Sequence, residues 1–297
     1  MAEKKLSFAI FGNPYRALAA QSMCEVLEYL SQRNADVYVE ETFYNALDKR
    51  NIPNTAVKAI FKGDRFKADC AISMGGDGTL LKAASKVGAK NIPIIGVNLG
   101  RLGFLAEVLP EELHQTLDDI YTANYGIDER AVLIMETKTQ LLHIRPYALN
   151  DIAILKRDHA SMITIHASVN GEYLVSYLAD GLIISTPTGS TAYSLSNGGP
   201  ILVPQSRSIC LTPVAPHSLN IRPIVLTDDV EIRLEVESRS HNFLVAVDGR
   251  SEKLSEGSSI TIRKAPYKIR IVKPKTHRYF STLRTKLMWG ADIREHE

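Results

Sequence analysis

Two stretches of this chain carry most of its capacity for chemistry. The first is Ala71-Ile72-Ser73-Met74-Gly75-Gly76-Asp77-Gly78-Thr79-Leu80-Leu81, an apolar segment that runs into three glycines set around one carboxylate, followed by an apolar helical pattern. The order predicts a buried strand, a tight turn and a helix start, because glycine lets a backbone turn sharply while staying open to a ligand. Backbone N–H groups at such a helix start favour anions, phosphate above all. Asp77 is the odd residue, since a carboxylate in a phosphate cradle needs a cation, a proton to accept or a sugar hydroxyl to hold. Lys82, three residues after Thr79, is spaced to turn its ammonium to the same phosphates, or else to sit as a solvated surface lysine. A simple helix cap is the bland alternative for Asp77, although three glycines exceed what capping requires.

The second stretch runs from Asp180 to Pro200, where the apolar Leu182-Ile183-Ile184 enters a loop rich in hydroxyls and glycines. Hydroxyls and free backbone groups there suit a sugar and a base edge, and Tyr193 suits a planar ring; an ordinary Pro/Gly/Ser turn is the alternative. Asn150-Asp151, ahead of a strand over Ile152–Leu155, offers an amide and a carboxylate for a base and a ribose diol, or a turn. Both common nucleotide fingerprints are missing. No G-x-x-x-x-G-K-[ST] occurs, which excludes a P-loop enzyme, and no strand leads into G-x-G-x-x-G, which leaves a Rossmann cofactor site unsupported.

The elements that must position these residues follow from hydrophobic period. Leu6–Phe11 reads as a strand, and Leu18, Met23, Val26, Leu27 and Leu30 recur at near-helical spacing after it. Ala35–Glu40 reads as a second strand, Asn54–Phe61 as a helix, Cys70–Met74 as the strand feeding the glycine turn, Leu80–Val87 as the helix leaving it, and Ile92–Val97 as another buried strand. Strands alternating with helices predict a parallel sheet with ligands at the carboxyl ends of its strands, where Gly75–Thr79 sits. A second glycine cluster, Asn98 to Leu105, and a polar helix over Pro110–Ala123 close this region. From about residue 126 the period changes to alternation: Ala131–Glu136, Ala148–Leu155, Met162–Val169, Tyr173–Leu178, Val230–Val236, Phe243–Val247, Ser259–Ile262 and Lys268–Val272 read as strands, with Asn170-Gly171 a type I′ hairpin signal. Phe280, Leu283, Leu287 and Met288 return to helical spacing, and an apolar stripe must bury against something, so the tail is expected to cross back onto the first domain. The domains expected are therefore 1–125 (α/β, mainly parallel sheet), 126–275 (β-rich) and 276–297 (tail helix).

With 297 residues the chain can bury a large core, and its formal net charge of +2, without a Lys/Arg run interleaved with aromatics, argues against nucleic acid as a partner. No apolar run is long enough for a transmembrane helix and no signal peptide is read at Met1-Ala2-Glu3-Lys4-Lys5, so a cytoplasmic protein without membrane contact is expected. Cys24, Cys70 and Cys210 are scattered among apolar residues, which suits reduced core thiols.

Taken together, Gly75–Thr79, Asn98–Leu105, Asn150-Asp151, Asp180–Pro200, Val214–Ser218 and Phe280–Gly290 resemble the NAD kinase family, whose members transfer the terminal phosphoryl group of ATP to the adenosine ribose 2′-hydroxyl of NAD. The Gly-Gly-Asp-Gly-Thr element is shared with diacylglycerol and sphingosine kinases; Thr186–Ser196 following Asn150-Asp151 is not. The resemblance implies an α/β domain, a β-rich domain and a site between them. It makes Asp77 the proton acceptor or hydroxyl-orienting carboxylate, with Gly78 beside the substrate; the glycine turn itself suggests Gly75, Gly76, Thr79 and Lys82 near phosphate. It makes Asn150, Asp151, Asp180, Thr188, Thr191, Ala192, Tyr193, Ser194, Leu195, Ser196 and Ala215 NAD contacts. Many members have glutamate at the position of Asp151, whose shorter side chain reaches less far. The partners and cofactors implied are NAD, ATP and Mg²⁺ or another divalent metal carried with ATP rather than in a protein-only site, in a homodimer or homotetramer. The rival readings are a lipid kinase of the diacylglycerol kinase type, which predicts a membrane-binding apolar or basic surface, and a dinucleotide sensor without catalysis.

Overall fold

The structure is a computed structural model that describes residues 5–13, 18–49, 56–100, 103–138, 140–157, 161–274 and 278–289. Two compact units are formed, Met1–Asp128 with Arg270–Glu297, and Glu129–Ile269. In chain order the first unit contains β1 (Ser7–Gly12), α1 (Leu18–Gln32), β2 (Asp36–Glu40), α2 (Glu41–Asp48), β3 (Val57–Phe61), β4 (Cys70–Gly75), α3 (Asp77–Val87), β5 (Ile94–Asn98) and α4 (Leu113–Tyr121). Its strands pair in parallel in the order β5-β4-β1-β2-β3. Phe8, Ala9, Ile10, Ala71, Ile72, Ile94 and Ile95 are fully buried, as continuous apolar runs must be in a parallel sheet covered on both faces. Helices α1 and α4 contribute Met23, Val26, Leu30, Leu113 and Leu117 to the same core.

Two elements of the first unit differ from the sequence expectation. Of the helix expected at Asn54–Phe61, positions 54 and 55 lie outside the described residues, and Val57–Phe61 is β3, paired in parallel with β2. Eight residues are too few to separate the two periods, and an edge strand shows little alternation: only Phe61 of β3 is buried. Helix α2, which sequence did not announce, begins directly at the end of β2. Its cap is Glu40, which accepts from Phe43 N at 3.1 Å and pairs with Lys86 of α3 at 2.7 Å.

β6 (Gly126–Thr137) carries the chain into the second unit, which continues with β7 (Tyr147–Ala148), β8 (Asp151–Lys156), β9 (Ile163–Val169), β10 (Glu172–Ala179), β11 (Gly181–Ser185), the single turn α5 (Tyr193–Ser196), β12 (Ser208–Val214), β13 (Ile224–Thr227), β14 (Ile232–Glu237), β15 (Asn242–Val247) and β16 (Arg250–Ser255); β17 (Ser259–Lys273) carries it back. Two antiparallel arrays result, β13-β12-β11-β8-β15-β16 and β10-β9-β14-β17. Ile152, Ile154, Leu182 and Ile184 of the first and Ile165, Ile232, Leu234 and Ile260 of the second share one core. The expected hairpin is present, with Asn170 at φ 50° and Gly171 at φ 84°, both positive as a type I′ turn requires. Ser259–Ile262 and Lys268–Val272 belong to one strand that continues through Pro266. The tail helix, α6 (Tyr279–Leu287), belongs to the first unit and buries Thr282 and Leu283.

Candidate active site

Within the first unit, the chemistry gathers where β4 ends. Gly76 is the extended residue before α3, its carbonyl accepting from Thr79 N at 2.9 Å and Leu80 N at 3.1 Å, so Asp77 falls on the first turn. The carboxylate is gripped from outside its own helix. Phe104 N donates to Oδ2 at 2.8 Å, and Leu105 N and Ala106 N donate to Oδ1 at 3.1 and 3.0 Å. The second glycine cluster thus folds over the first, and glycine is required at its point of closest approach: a Cβ on Gly103 would lie 1.8 Å from Asp77 Oδ1. Arg101 and Leu102 of that cluster lie outside the described residues.

Gly76 and Gly78 are different. Neither has a positive φ, and a Cβ on either would meet nothing within 4 Å. Neither backbone strain nor packing demands glycine at these two positions, so their effect is to leave open space on both sides of Asp77. Oδ2 carries a single N–H donor and keeps a lone pair for another. Lys82, one turn on, is exposed and makes no hydrogen bond or ion pair among the described residues, as a solvated surface lysine would. From the tail, the Lys286 ammonium sits 4.6 Å from the ring centroid of Phe104. Burial holds its pKa below the usual lysine value, opposed by the charge of Asp77.

In the second unit the carboxylate of Asp248, on the turn between β15 and β16, grips another loop. It accepts from Leu149 N and Asn150 N at 2.8 Å each and from Asp151 N at 3.2 Å, with its own backbone at φ 46°. The 186–189 turn is stitched to the same segment: Thr186 N donates to Asn150 O at 2.9 Å and Thr186 Oγ1 to Leu149 O at 2.6 Å. A Cβ on Gly189 would stand 2.1 Å from Asn150 O, so only glycine admits this contact. Asn150 Oδ1 is buried without a hydrogen-bond partner, an acceptor left for a donor from outside the fold. Asp151 is 7% exposed, and burial, with the Asp248 charge second, pushes its carboxyl up to about 7.

The loop residues separate by where they point. Buried Arg130 reaches Thr188 Oγ1 from β6 at 3.3 Å, and Ser194 Oγ turns inward to Thr212 Oγ1 at 2.8 Å. Tyr193 and Ser196 are exposed, with Thr191, Ala192 and Leu195 partly so. Asp180 pairs with Lys156 at 2.7 Å, and Ala215 follows β12 at a positive φ of 42°. Asn150 is tied to the 186–189 turn by hydrogen bonds, and Thr191 Oγ1 donates to Thr188 O at 3.3 Å within the loop, while Asp180 and Ala215 lie at the far end of β11 and β12 from Ser185. Sequence reasoning missed Asp248, Arg130 and Lys286. Only Asp248-Gly249 carried a signal, as a hairpin dipeptide.

A donor set for a resident metal is not supplied by these residues. No group of three or more His, Cys, Asp or Glu that could hold an ion occurs among the described residues, and Asp77 is the one carboxylate of its turn.

The first unit is thus a parallel α/β unit with a fixed carboxylate on a glycine turn, and the second a β unit carrying a braced polar loop. The ATP-NAD kinase N-terminal domain model matches residues 8–125, and the ATP-NAD kinase C-terminal domain model matches residues 149–274. The chain is 54% identical over 289 residues to the NAD kinase of Bacteroides fragilis, spanning 97% of this chain and 100% of that protein. It is 40% identical to the NAD kinase of Cytophaga hutchinsonii, across 97% and 99%. Among solved structures, yeast NADH kinase complexed with NADH superposes with a TM-score of 0.88 at 25% identity, covering 99% of this chain and 90% of that one. An NAD kinase from Archaeoglobus fulgidus in complex with ATP shares the fold, with a TM-score of 0.74 at 24% identity over 95% and 99%. This chain belongs to the NAD kinase family and is a phosphotransferase enzyme of that family.

Proposed function

We propose that the chain transfers the terminal phosphoryl group of ATP to the 2′-hydroxyl of the adenosine ribose of NAD, giving NADP and ADP. The observation that carries this reading is Asp77, a carboxylate fixed by three backbone N–H groups with open space over both flanking glycines. In the step proposed, the 2′-oxygen forms a bond to the γ-phosphorus, the bond from that phosphorus to the β–γ bridging oxygen breaks, and Asp77 orients the hydroxyl and takes its proton. Phosphoryl transfer asks chiefly for in-line placement and charge neutralisation. Gly75, Gly76, Thr79 and Lys82 are assigned to the phosphates. The orphan Oδ1 of Asn150 suits a donor on the base, Asp151 suits the ribose, and Asp180, Thr188, Thr191, Ala192, Tyr193, Ser194, Leu195, Ser196 and Ala215 complete the NAD contacts in this proposal.

A divalent metal belongs to the proposal as a companion of the nucleotide, neutralising phosphate charge; binding, orientation and proton acceptance fall to the chain's own residues. Homo-oligomeric assembly is also part of the proposal, and light scattering checks it. The deciding experiment incubates the protein with ATP, Mg²⁺ and NAD and locates the new phosphate by phosphorus NMR. A 2′-monoester is expected, and no NADP from any phosphoryl donor would leave a binding-only protein. The likeness to yeast NADH kinase motivates a parallel incubation with NADH.

A further inference from the structure

We propose that Lys286, on the tail helix α6, is a further substrate-binding residue: its ammonium engages the anionic oxygens of a phosphoryl group brought up to Asp77. The proposal rests on the catalytic role proposed for Asp77. One residue joins the two groups, because the Phe104 backbone N–H donates to Asp77 Oδ2 at 2.8 Å while the Phe104 ring seats the Lys286 ammonium at 4.6 Å. A ring face attracts a cation without neutralising it, so the charge stays available.

The other lysines placed over rings in this unit are spent on acceptors. Lys86, over Phe11, pairs with Glu40 at 2.7 Å, and Lys90, over Phe66, donates to Lys86 O at 3.0 Å. Lys286 has no ion pair or hydrogen bond among the described residues. It is partly buried nonetheless, and the one titratable group acting on it is Asp77 from the start of α3; the 103–106 loop offers it only a ring and backbone. A partly buried ammonium that makes no salt bridge among the described residues, next to the loop that braces Asp77, is placed to receive a phosphoryl oxygen. A phosphoryl group brought up to Asp77 meets a carboxylate that repels it, and a cation at Lys286 offsets that repulsion.

The test compares wild type with Lys286→Met, which keeps an apolar chain over Phe104, and Lys286→Arg, which keeps the charge. ATP and NAD affinities are measured by calorimetry and turnover by NADP formation. Lys286→Met is expected to lower kcat/KM for ATP by roughly 10²-fold and to weaken ATP binding, with NAD affinity and Tm unchanged. Lys286→Arg is expected to recover most of the loss and to move the alkaline limb of the pH–rate profile upward, because a guanidinium keeps its proton where a partly buried ammonium gives it up. ATP affinity and turnover at wild-type level in Lys286→Met would overturn the proposal, as would equal losses in both variants accompanied by a lower Tm, the mark of a tail latch. Wild-type protein that binds ATP but makes no NADP would overturn the reading of Asp77, and ATP affinity in Lys286→Met would still decide the role of Lys286.

Discussion

Asp77 and Asp248 perform the same mechanical task in different units, each accepting from three consecutive backbone N–H groups. Their chemistry diverges in what remains open. Asp77 keeps a lone pair and is flanked by glycines that face open space, whereas Asp248 is half-buried and its charge falls on Asp151. Asn150 adds an acceptor with nothing to accept from. Asn150→Ala is therefore expected to raise the Kd for NAD by about tenfold or more, the worth of one hydrogen bond to a buried group, with little change in kcat. Calorimetry against steady-state kinetics checks that split.

Asp151 gives the residue scale a pH signature. Its carboxyl moves from 3.8 to about 7, so between those values the folded chain keeps a proton that the unfolded chain releases. Stability from this group is greatest below pH 3.8, falls as pH climbs through the window, and levels off above about 7. Asp248, also pushed up by burial, adds to the same slope. Asp151→Asn should flatten the dependence, and urea midpoints measured from pH 4 to 8 for both proteins report it directly.

At the scale of elements, loops rather than strands hold the candidate site, and each loop is fixed by a carboxylate from elsewhere in the chain. Asp248→Ala would leave the N–H groups of Leu149, Asn150 and Asp151 without that acceptor. A loss of at least about 2 kcal/mol in stability is expected, together with weaker NAD binding, because buried donors deprived of a partner carry the full desolvation penalty. Denaturant unfolding and an NAD titration of the same sample separate the two effects. Such long-range grips explain what sequence could show. Gly75–Thr79 was legible as strand, turn and helix because its pattern is local, and Asn170-Gly171 because a type I′ turn needs two positive φ values. The partners of Asp77 are 27 to 29 positions away and those of Asp248 97 to 99, and no local spacing encodes them. Helix α2 and strand β3 were missed for a related reason: one borrows its cap from the end of β2, and the other is an edge strand too short to show a period.

For the whole molecule, the chain leaves the first unit at Asp128 and returns at Arg270, so the tail lysine and the glycine turn belong to one unit although about two hundred residues separate them. Of the apolar stripe expected to bury in the tail only Leu283 does so, Phe280, Leu287 and Met288 being exposed, whereas the period change near residue 126, close to the unit boundary at Asp128, was readable. The cation that the return delivers to Phe104 was not, since a lysine in a last helical turn is ordinary in sequence. No helix among the described residues is long and apolar enough to cross a membrane. Family membership places the activity among phosphotransferases, and Asp77 is the centre proposed for it.

The most direct measurement of that role is single-turnover phosphorylation of NAD by wild type and Asp77→Asn, paired with NAD affinity for each. The asparagine keeps the size and one acceptor oxygen but loses the charge and the basicity. A general base at this position predicts a rate reduced by ~10²–10⁴-fold in the variant, with NAD binding changed only a few-fold. Near-wild-type turnover in Asp77→Asn would contradict that role.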